Sequence, residues 1–258
     1  MSRFNNLEFG DESEELSPQP KALVKDEAYY LAEARAAFEN GNFESALRLY
    51  SKVLEFNPQN AAAWSAQVRM LIELREYREA RLWAEKALER FPHEPELLAA
   101  KAVALARGGD LQGAMAFSDA SIEERGDTPY VWLARADVLL AREESRADYC
   151  FEKALLLAPG DWFIVWLGAR IRYYYEQFAL ALKLLQQAVE WNTGHFRLWL
   201  ELGQCQQALG LVGLARNSFT QARQLNPSCR EAALALGQLS GAGLWARVRG
   251  SWRRLFSR

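Results

Sequence analysis

The sequence has few of the residues that build metal centres or disulfide frameworks. Its 258 residues include two histidines, His93 and His195, and three cysteines, Cys150, Cys205 and Cys229. Neither histidine belongs to a His-Glu-x-x-His or Cys/His pattern, and the cysteines lack the spacing of metal ligands. We therefore predict no metal site and no cofactor. An odd number of cysteines without a framework also suggests a reducing compartment, hence a cytoplasmic location.

Long hydrophobic runs and an excess of one charge are missing as well. No apolar stretch approaches the roughly 18 residues of a membrane-spanning helix, and the first residues lack the apolar stretch of a secretory signal. The formal net charge is -2, which argues against a general nucleic-acid binder. We expect no specific nucleic-acid partner and no transmembrane segment.

Catalytic motifs are also absent from the sequence. It contains no phosphate-binding loop, no dinucleotide-binding fingerprint and no Gly-x-Ser-x-Gly motif. Gly108-Gly109-Asp110 indicates a turn, because no Lys-Ser/Thr pair follows it. We predict no catalytic residues, no small-molecule substrate and no enzymatic activity, although a catalytic pair formed only in three dimensions stays open as an alternative.

What the sequence does contain is a repeating order of large and small residues. Small residues recur at successive gaps of 34, 34, 33, 34 and 34, at Ala46, Ala80, Ala114, Ala147, Ala181 and Ala215. A bulky residue recurs earlier in each unit, at Tyr30, Trp64, Leu98, Trp132, Val165 and Trp199. Prolines close four of the units, at Pro58, Pro92, Pro159 and Pro227.

These three markers share one register and predict six units, each of two short helices. The units are 27–60, 61–94, 95–128, 129–161, 162–195 and 196–229. A one-residue deletion near Glu143–Ser145 explains the single gap of 33. In the sixth unit we expect Trp199 to fill the space left by Gly203 and Ala215, because facing helices close tightly when a large side chain meets small ones.

The pattern resembles the tetratricopeptide repeat (TPR), a helix–turn–helix unit with tryptophan, Leu-Gly, tyrosine, alanine, phenylalanine, alanine and proline at fixed places. Gln206 stands where the family prefers tyrosine. The resemblance implies an all-α, right-handed superhelical solenoid of six TPR helix pairs over residues 27–240. Residues 230–240 repeat only a first helix and would cap the stack. Residues 1–26 form an acidic segment that we expect to be disordered.

The resemblance also implies a concave groove lined by first helices, in which such proteins hold a segment of a partner protein. Units four to six offer large aromatics and arginines there, as binding hot spots do. Packing between units is an equal alternative for Trp166 and Tyr173, whereas Arg170 and Arg197 are expected at the surface. The candidate partner-binding residues are Tyr130, Asp137, Phe163, Trp166, Arg170, Tyr173, Tyr174 and Arg197.

One subset of the family grips the carboxylate tails of heat-shock chaperones with lysine, asparagine and arginine at set places. The residues at those places here are different ones, namely Leu31, Arg35, Ala66, Glu96 and Ala100. Chaperone-tail binding of that type is therefore disfavoured. Another extended segment or helix of a protein remains the expected partner.

The last residues, 241–258, carry five arginines and no acidic residue. On a helical wheel their apolar residues share one stripe: Leu244, Trp245, Val248, Trp252, Leu255 and Phe256. Such a tail suits an anionic membrane surface or a partner, with the candidate residues Trp245, Arg247, Arg249, Trp252, Arg253 and Arg254. Folding back onto the solenoid as a second cap, RNA binding and plain disorder are the alternatives.

Two functions follow from these patterns. The leading hypothesis is a non-enzymatic scaffold or adaptor that holds a partner protein segment in the groove, around units four to six. The alternative is a peripheral membrane assembly factor, cytoplasmic and attached to the membrane through its basic tail.

Overall fold

The structure, a computed structural model, describes residues 25–240, so the predictions for the acidic segment up to residue 24 and for the tail lie outside the described residues. Within that range the chain is all helical and contains no strand. The first helices of the six units are α1 (Glu27–Glu39), α3 (Ala61–Glu73), α5 (Pro95–Arg107), α7 (Pro129–Ala141), α9 (Trp162–Tyr174) and α11 (Phe196–Ala208). The second helices are α2 (Phe43–Phe56), α4 (Tyr77–Arg90), α6 (Leu111–Glu123), α8 (Ala147–Leu157), α10 (Phe178–Trp191) and α12 (Val212–Leu225). The predicted all-α helical repeat fold is confirmed.

A further helical segment covers residues 230–240, where the described part of the chain ends. Glu231 in this terminal helix accepts a hydrogen bond from Arg197 Nη1 of α11 at 2.9 Å. Leu239 is buried in one cluster with Ala215 and Phe219 of unit six. The segment therefore covers the apolar face of the last helix pair, as a capping helix does.

The turn inside each unit contains one residue with left-handed backbone conformation. These residues are Gly41, Arg75, Gly109, Glu143, Glu176 and Gly210. In unit four, α8 begins at Ala147 itself, whereas the second helices of the other units begin three residues before the matching alanine. The missing residue thus falls between Glu143 and Ala147, near the place that the spacing predicts, and it removes the first turn of α8.

The small residues of the repeat lie where helices meet. All six recurrent alanines, from Ala46 to Ala215, are buried. The large residue in unit six is Phe219 rather than Trp199: a Cβ added to Gly203 would lie 2.6 Å from the Phe219 ring. The expectation for Trp199 was therefore wrong at Gly203, although Trp199 packs partly buried against the cluster that contains Ala215. Its indole Nε1 donates to the carbonyl of Thr193 at 2.8 Å.

Candidate partner-binding site

The first helices line the inner face of the solenoid, and side chains from distant units meet there. Phe38 of α1 packs edge-on against Phe163 of α9, with ring centroids 5.1 Å apart. The same Phe38 ring lies 6.2 Å from the Trp166 ring. In a repeat stack each unit normally contacts only its neighbours. Here the inner face curves far enough for unit one to reach unit five, and we call the set of contacts between units one or two and unit five the cross-groove contacts.

Glu201 of α11 joins several of these side chains. Its carboxylate accepts from the buried indole Nε1 of Trp166 at 2.7 Å and from Arg197 Nε at 3.0 Å. It also forms an ion pair with Arg170. Arg170 in turn donates from Nε to Glu73 of unit two at 3.2 Å. Arg170 therefore lies between two carboxylates, one on each side of the groove, which satisfies the charge of its guanidinium.

A second cluster of polar side chains lies in the groove. Arg107 Nε donates to Asp137 at 3.2 Å, and the Tyr175 hydroxyl donates to the same carboxylate at 2.8 Å. The Arg107 guanidinium lies 4.1 Å from the centre of the Tyr174 ring. The hydroxyls of Tyr77 and Tyr174, in units two and five, are 3.2 Å apart. The contact between Tyr77 and Tyr174 is a further cross-groove contact.

The charges of this network shift its proton equilibria. Burial alone would raise the pKa of the Glu73 carboxyl, but Arg170 and Arg107 outweigh it and lower that pKa below its usual value. Burial likewise opposes the charge of Arg107, yet Asp137 raises its pKa above the ordinary value. Burial and the hydrogen bond with Tyr174 raise the pKa of Tyr77 to about 12. These shifts favour the charged forms of Glu73 and Arg107 and the neutral form of Tyr77 at neutral pH.

A cavity of about 200 Å³ remains on the inner face beside this network. Its polar lining includes four arginines, two glutamates and two tyrosines: Arg75, Arg107, Arg170, Arg197, Glu73, Glu201, Tyr173 and Tyr174. Three of the arginines already pair with carboxylates. Arg75 is exposed and makes no ion pair within residues 25–240. The cavity therefore offers a cationic donor and aromatic surface to an incoming group.

The structure brings half of the candidate partner-binding residues together around this cavity, namely Arg170, Tyr173, Tyr174 and Arg197. Tyr173 keeps 37% of its surface exposed. Arg170 and Arg197 line the cavity rather than the core, but their side chains are only 18% and 13% exposed and both are ion-paired. Pairing with Glu73 and Glu201 offsets the free-energy cost of burying a charged guanidinium.

Of the other four candidates, three are buried and Tyr130 is partly buried. Trp166 is completely buried, in agreement with the packing alternative, and Phe163 is almost so. Asp137 is buried beneath Arg107. Tyr130 lies under the guanidinium of Arg69, which is 3.8 Å from its ring centre. None of the four lines the cavity of about 200 Å³, and the six candidates of the tail lie outside the described residues.

Sequence reasoning missed Glu73, Tyr77 and Glu201. Glu73 shares its repeat position with Glu39 of unit one, and Tyr77 shares its position with Phe43 and Phe178, so the register by itself predicts no special role for either. Glu201 stands where the other units carry alanine or leucine. The partners of all three belong to other units, which the repeat pattern does not reveal. The one available signal is charge: Glu73 in the last turn of α3 has the opposite sign to Arg170 in the middle of α9.

Between residues 25 and 240, no group of three or more histidine, cysteine, aspartate or glutamate side chains is arranged to hold a metal ion. Over the same residues, no helix is long and apolar enough to cross a bilayer.

Comparison with known proteins places this geometry in a family. Residues 31–129, in two overlapping matches, and residues 174–239 match the tetratricopeptide repeat. No curated protein matches the sequence.

Several solved structures share the fold at low identity. A tetratricopeptide repeat protein from Parabacteroides merdae has a TM-score of 0.53 at 16% identity, covering 83% of this chain and 84% of that one. The thermophilic TPR protein TTC0263 from Thermus thermophilus also has a TM-score of 0.53, at 20% identity over 69% of this chain and 98% of that one. The APC/C hetero-tetramer Cut9–Hcn1 has a TM-score of 0.50 at 16% identity, and the match covers 83% of this chain but only 43% of that one.

Proposed function

Because this chain belongs to the tetratricopeptide repeat family, we propose that it is a non-enzymatic scaffold that binds a segment of a partner protein on its inner face. Proteins of this family generally mediate protein–protein interactions. The single observation that supports the location is the convergence of Arg170, Tyr173, Tyr174 and Arg197 on one cavity. Aromatic rings and arginines of this kind dominate the affinity of protein interfaces.

The chemistry of the cavity favours a segment that carries an acidic side chain. Arg75 at the cavity has donors that no carboxylate of the described residues occupies. Its guanidinium lies 5.9 Å from the centre of the Tyr174 ring. An entering carboxylate would therefore meet both the N–H donors of the guanidinium and an aromatic face. A cavity of about 200 Å³ suits one or two side chains of the partner, with the remaining contacts on the rim.

Arg75 and Tyr173 are the residues with which to test this proposal. Peptides selected from a displayed library on the full chain should be enriched in aspartate or glutamate. Reversing the charge with Arg75→Glu should weaken the selected peptides at least tenfold in calorimetry, about 1.4 kcal/mol, and Tyr173→Ser should weaken them less. Trp166 and Arg170 are poorer probes, because replacing them also disturbs packing.

Arg78 provides the matched control, since it is exposed in the first turn of α4 and does not line the cavity. Arg78→Glu makes the same change in net charge and should leave the dissociation constant within about twofold. Equal weakening by both reversals would mean that only net charge matters, and selected peptides without acidic residues would contradict the proposed partner.

Attachment to a membrane through the basic tail is the second candidate function. It is supported by the five arginines and the two tryptophans of residues 241–258, which are typical of helices at an anionic surface. The full chain should then float with vesicles containing phosphatidylserine and not with neutral vesicles. A chain with Arg253→Glu and Arg254→Glu should float less, and flotation that ignores both lipid charge and this change would count against the function.

A further inference from the structure

The turn between α11 and α12 exposes a cluster of apolar side chains. Leu209, Leu211, Val212 and Leu214 are 37%, 39%, 46% and 53% exposed. No charged residue occurs between Ala208 and Leu214. Four large aliphatic residues that face water on one turn form a contiguous apolar patch, which in soluble proteins commonly marks a contact surface.

The same turn in other units is polar, so the repeat itself does not require this patch. Unit one has Asn40 and Asn42 there, and unit two has Arg75 and Glu76. Unit four has Glu143 and Glu144. The apolar turn is therefore a particular property of unit six, the last unit before the terminal helix.

The terminal helix directs the chain toward this patch. It runs parallel to α11, since Glu231 pairs with Arg197 near the start of both helices and Leu239 packs in the cluster that contains Ala215, just after the apolar turn. Residue 240 thus lies at the edge of the solenoid that carries the turns within the units. The 18 residues of the tail, 241–258, continue from that edge.

We propose that the tail docks on this edge of its own chain, with its apolar stripe on the leucines of the unit-six turn. An 18-residue helix is about 27 Å long. First helices of neighbouring units, such as α7 and α9, pack directly on one another, roughly 8–10 Å apart, so a strap of that length spans about three units and reaches from the turn of unit six to the turns of units five and four. The residues that would meet the apolar turn are those nearest to it in sequence, led by Leu244, Trp245 and Val248.

The turns of units five and four supply a charge complement to the second half of the tail. Glu143 and Glu176 project from left-handed turn positions and form no ion pair with any described residue. Between these turns, where α8 lacks its first turn, lies a shallow basin of about 590 Å³ lined by Glu143, Glu144, Asp148, Arg172 and Tyr175. Glu144 already pairs with Arg142 and Arg146, and Asp148 with Arg172, so Glu143 is the basin carboxylate left for a tail arginine. Arg253 and Arg254 follow residue 240 by about 13 residues, so a helical tail docked along this edge would carry them ~20 Å, toward this basin.

Three occupants could cover such a patch, and the position of the chain favours the tail of the same molecule. A tethered segment acts at an effective concentration in the millimolar range, which a second copy in dilute solution does not reach. An anionic membrane would meet the leucines but would be repelled by the carboxylates of the neighbouring turns. The tail carries both the apolar stripe and the arginines that this mixed surface needs.

Thiol labelling of the full chain tests the proposal. A Leu214→Cys chain carries one reporter on the patch, and the natural cysteines Cys150, Cys205 and Cys229 are buried. With the natural tail the reporter should label at least tenfold more slowly than in a chain that also has Trp245→Ser, Val248→Ser and Trp252→Ser. A Leu156→Cys reporter on α8, where the leucine is 76% exposed, is the matched control and should label at the same rate with either tail.

The charge contacts have their own test in the same assay. Arg253→Glu with Arg254→Glu should speed labelling of the Leu214→Cys reporter, and adding Glu143→Arg with Glu176→Arg should slow it again. Recovery by the second pair supports direct contact between the tail and these turns.

Three results would overturn the proposal. One is an equal labelling rate at position 214 with the natural and the changed tail. Another is protection that disappears on dilution, which would assign the patch to a second copy. The third is protection that arises only when phosphatidylserine vesicles are added, which would assign it to a membrane.

Discussion

The contacts that build the stack and the contacts that close the groove differ in chemistry. Neighbouring helices meet through alanines and large apolar side chains, as Ala215 and Phe219 do in unit six. The cross-groove contacts are aromatic and ionic, and each occurs once in the chain, as with Glu73 and Arg170. The repeat therefore encodes how units stack, while single residues outside the repeat encode how far the solenoid curves.

The two kinds of contact also differ in what they contribute to stability. Burial of apolar side chains stabilises the stack unit by unit, at about 25 cal/mol per Å². A buried ion pair contributes little net stability, because desolvation offsets the attraction, although removal of one partner is costly. We expect substitutions in the stack to unfold the protein and substitutions across the groove chiefly to open it.

The largest effect is expected from replacing Phe219, a residue of α12 that is completely buried and packs against Gly203 of α11. Phe219→Ala should lower the free energy of unfolding by about 3–5 kcal/mol, because it removes a large apolar side chain and leaves a cavity. Urea denaturation followed by circular dichroism measures this change. Phe56, which is 54% exposed, is the control, and Phe56→Ala should stay within about 0.5 kcal/mol of the natural chain.

A substitution at Gly203 tests the contact between α11 and Phe219 from the α11 side. Gly203→Ala should destabilise the protein by about 1–3 kcal/mol, because the new methyl group would lie 2.6 Å from the Phe219 ring. Gly168 in the middle of α9 has its nearest neighbour at 3.5 Å, so Gly168→Ala should be neutral or slightly stabilising. If both alanines behaved alike in denaturation, the close approach of Phe219 to Gly203 would be wrong.

Glu73 carries the ionic part of the cross-groove contacts. Glu73→Gln should cost only about 1–2 kcal/mol, less than a fully buried pair, because the side chains of Glu73 and Arg170 keep 17% and 18% exposure. It should also increase the radius of gyration in small-angle scattering, as units two and five separate. Glu79→Gln on the surface of α4 should change neither quantity, and an equal response of both variants would contradict a bracing role for Glu73.

Acid should open the groove through the same residue. The folded pKa of Glu73 lies below its unfolded value, which is about 4.3. Its contribution to stability is therefore present above that pH and is lost as the pH falls through the folded pKa. Below about pH 4.3, the free energy of unfolding of Glu73→Gln should depend less steeply on pH than that of the natural chain. Identical slopes would show that Glu73 does not cause this pH dependence.

The comparison also explains what the sequence could predict. The helix pairs, their turns and the deletion before Ala147 were predictable, because each leaves a mark at a fixed interval. The convergence of Tyr173, Tyr174, Arg170 and Arg197 followed in part, since all four lie on first helices. The role of Glu201 did not follow, because no repeat position requires a carboxylate where Trp166, Arg170 and Arg197 meet.

Closure of the groove depends on contact between α1 and α9, and nuclear Overhauser effects between aromatic rings measure that contact directly. In a chain with labelled phenylalanine and tryptophan, the ring protons of Phe38 should give cross peaks to Phe163 and to Trp166, whose centroids lie 5.1 Å and 6.2 Å away. A closed inner face predicts both cross peaks. Assigned resonances that show neither, in a protein that retains its helices, would mean that units one and five stand apart and that the solenoid is open.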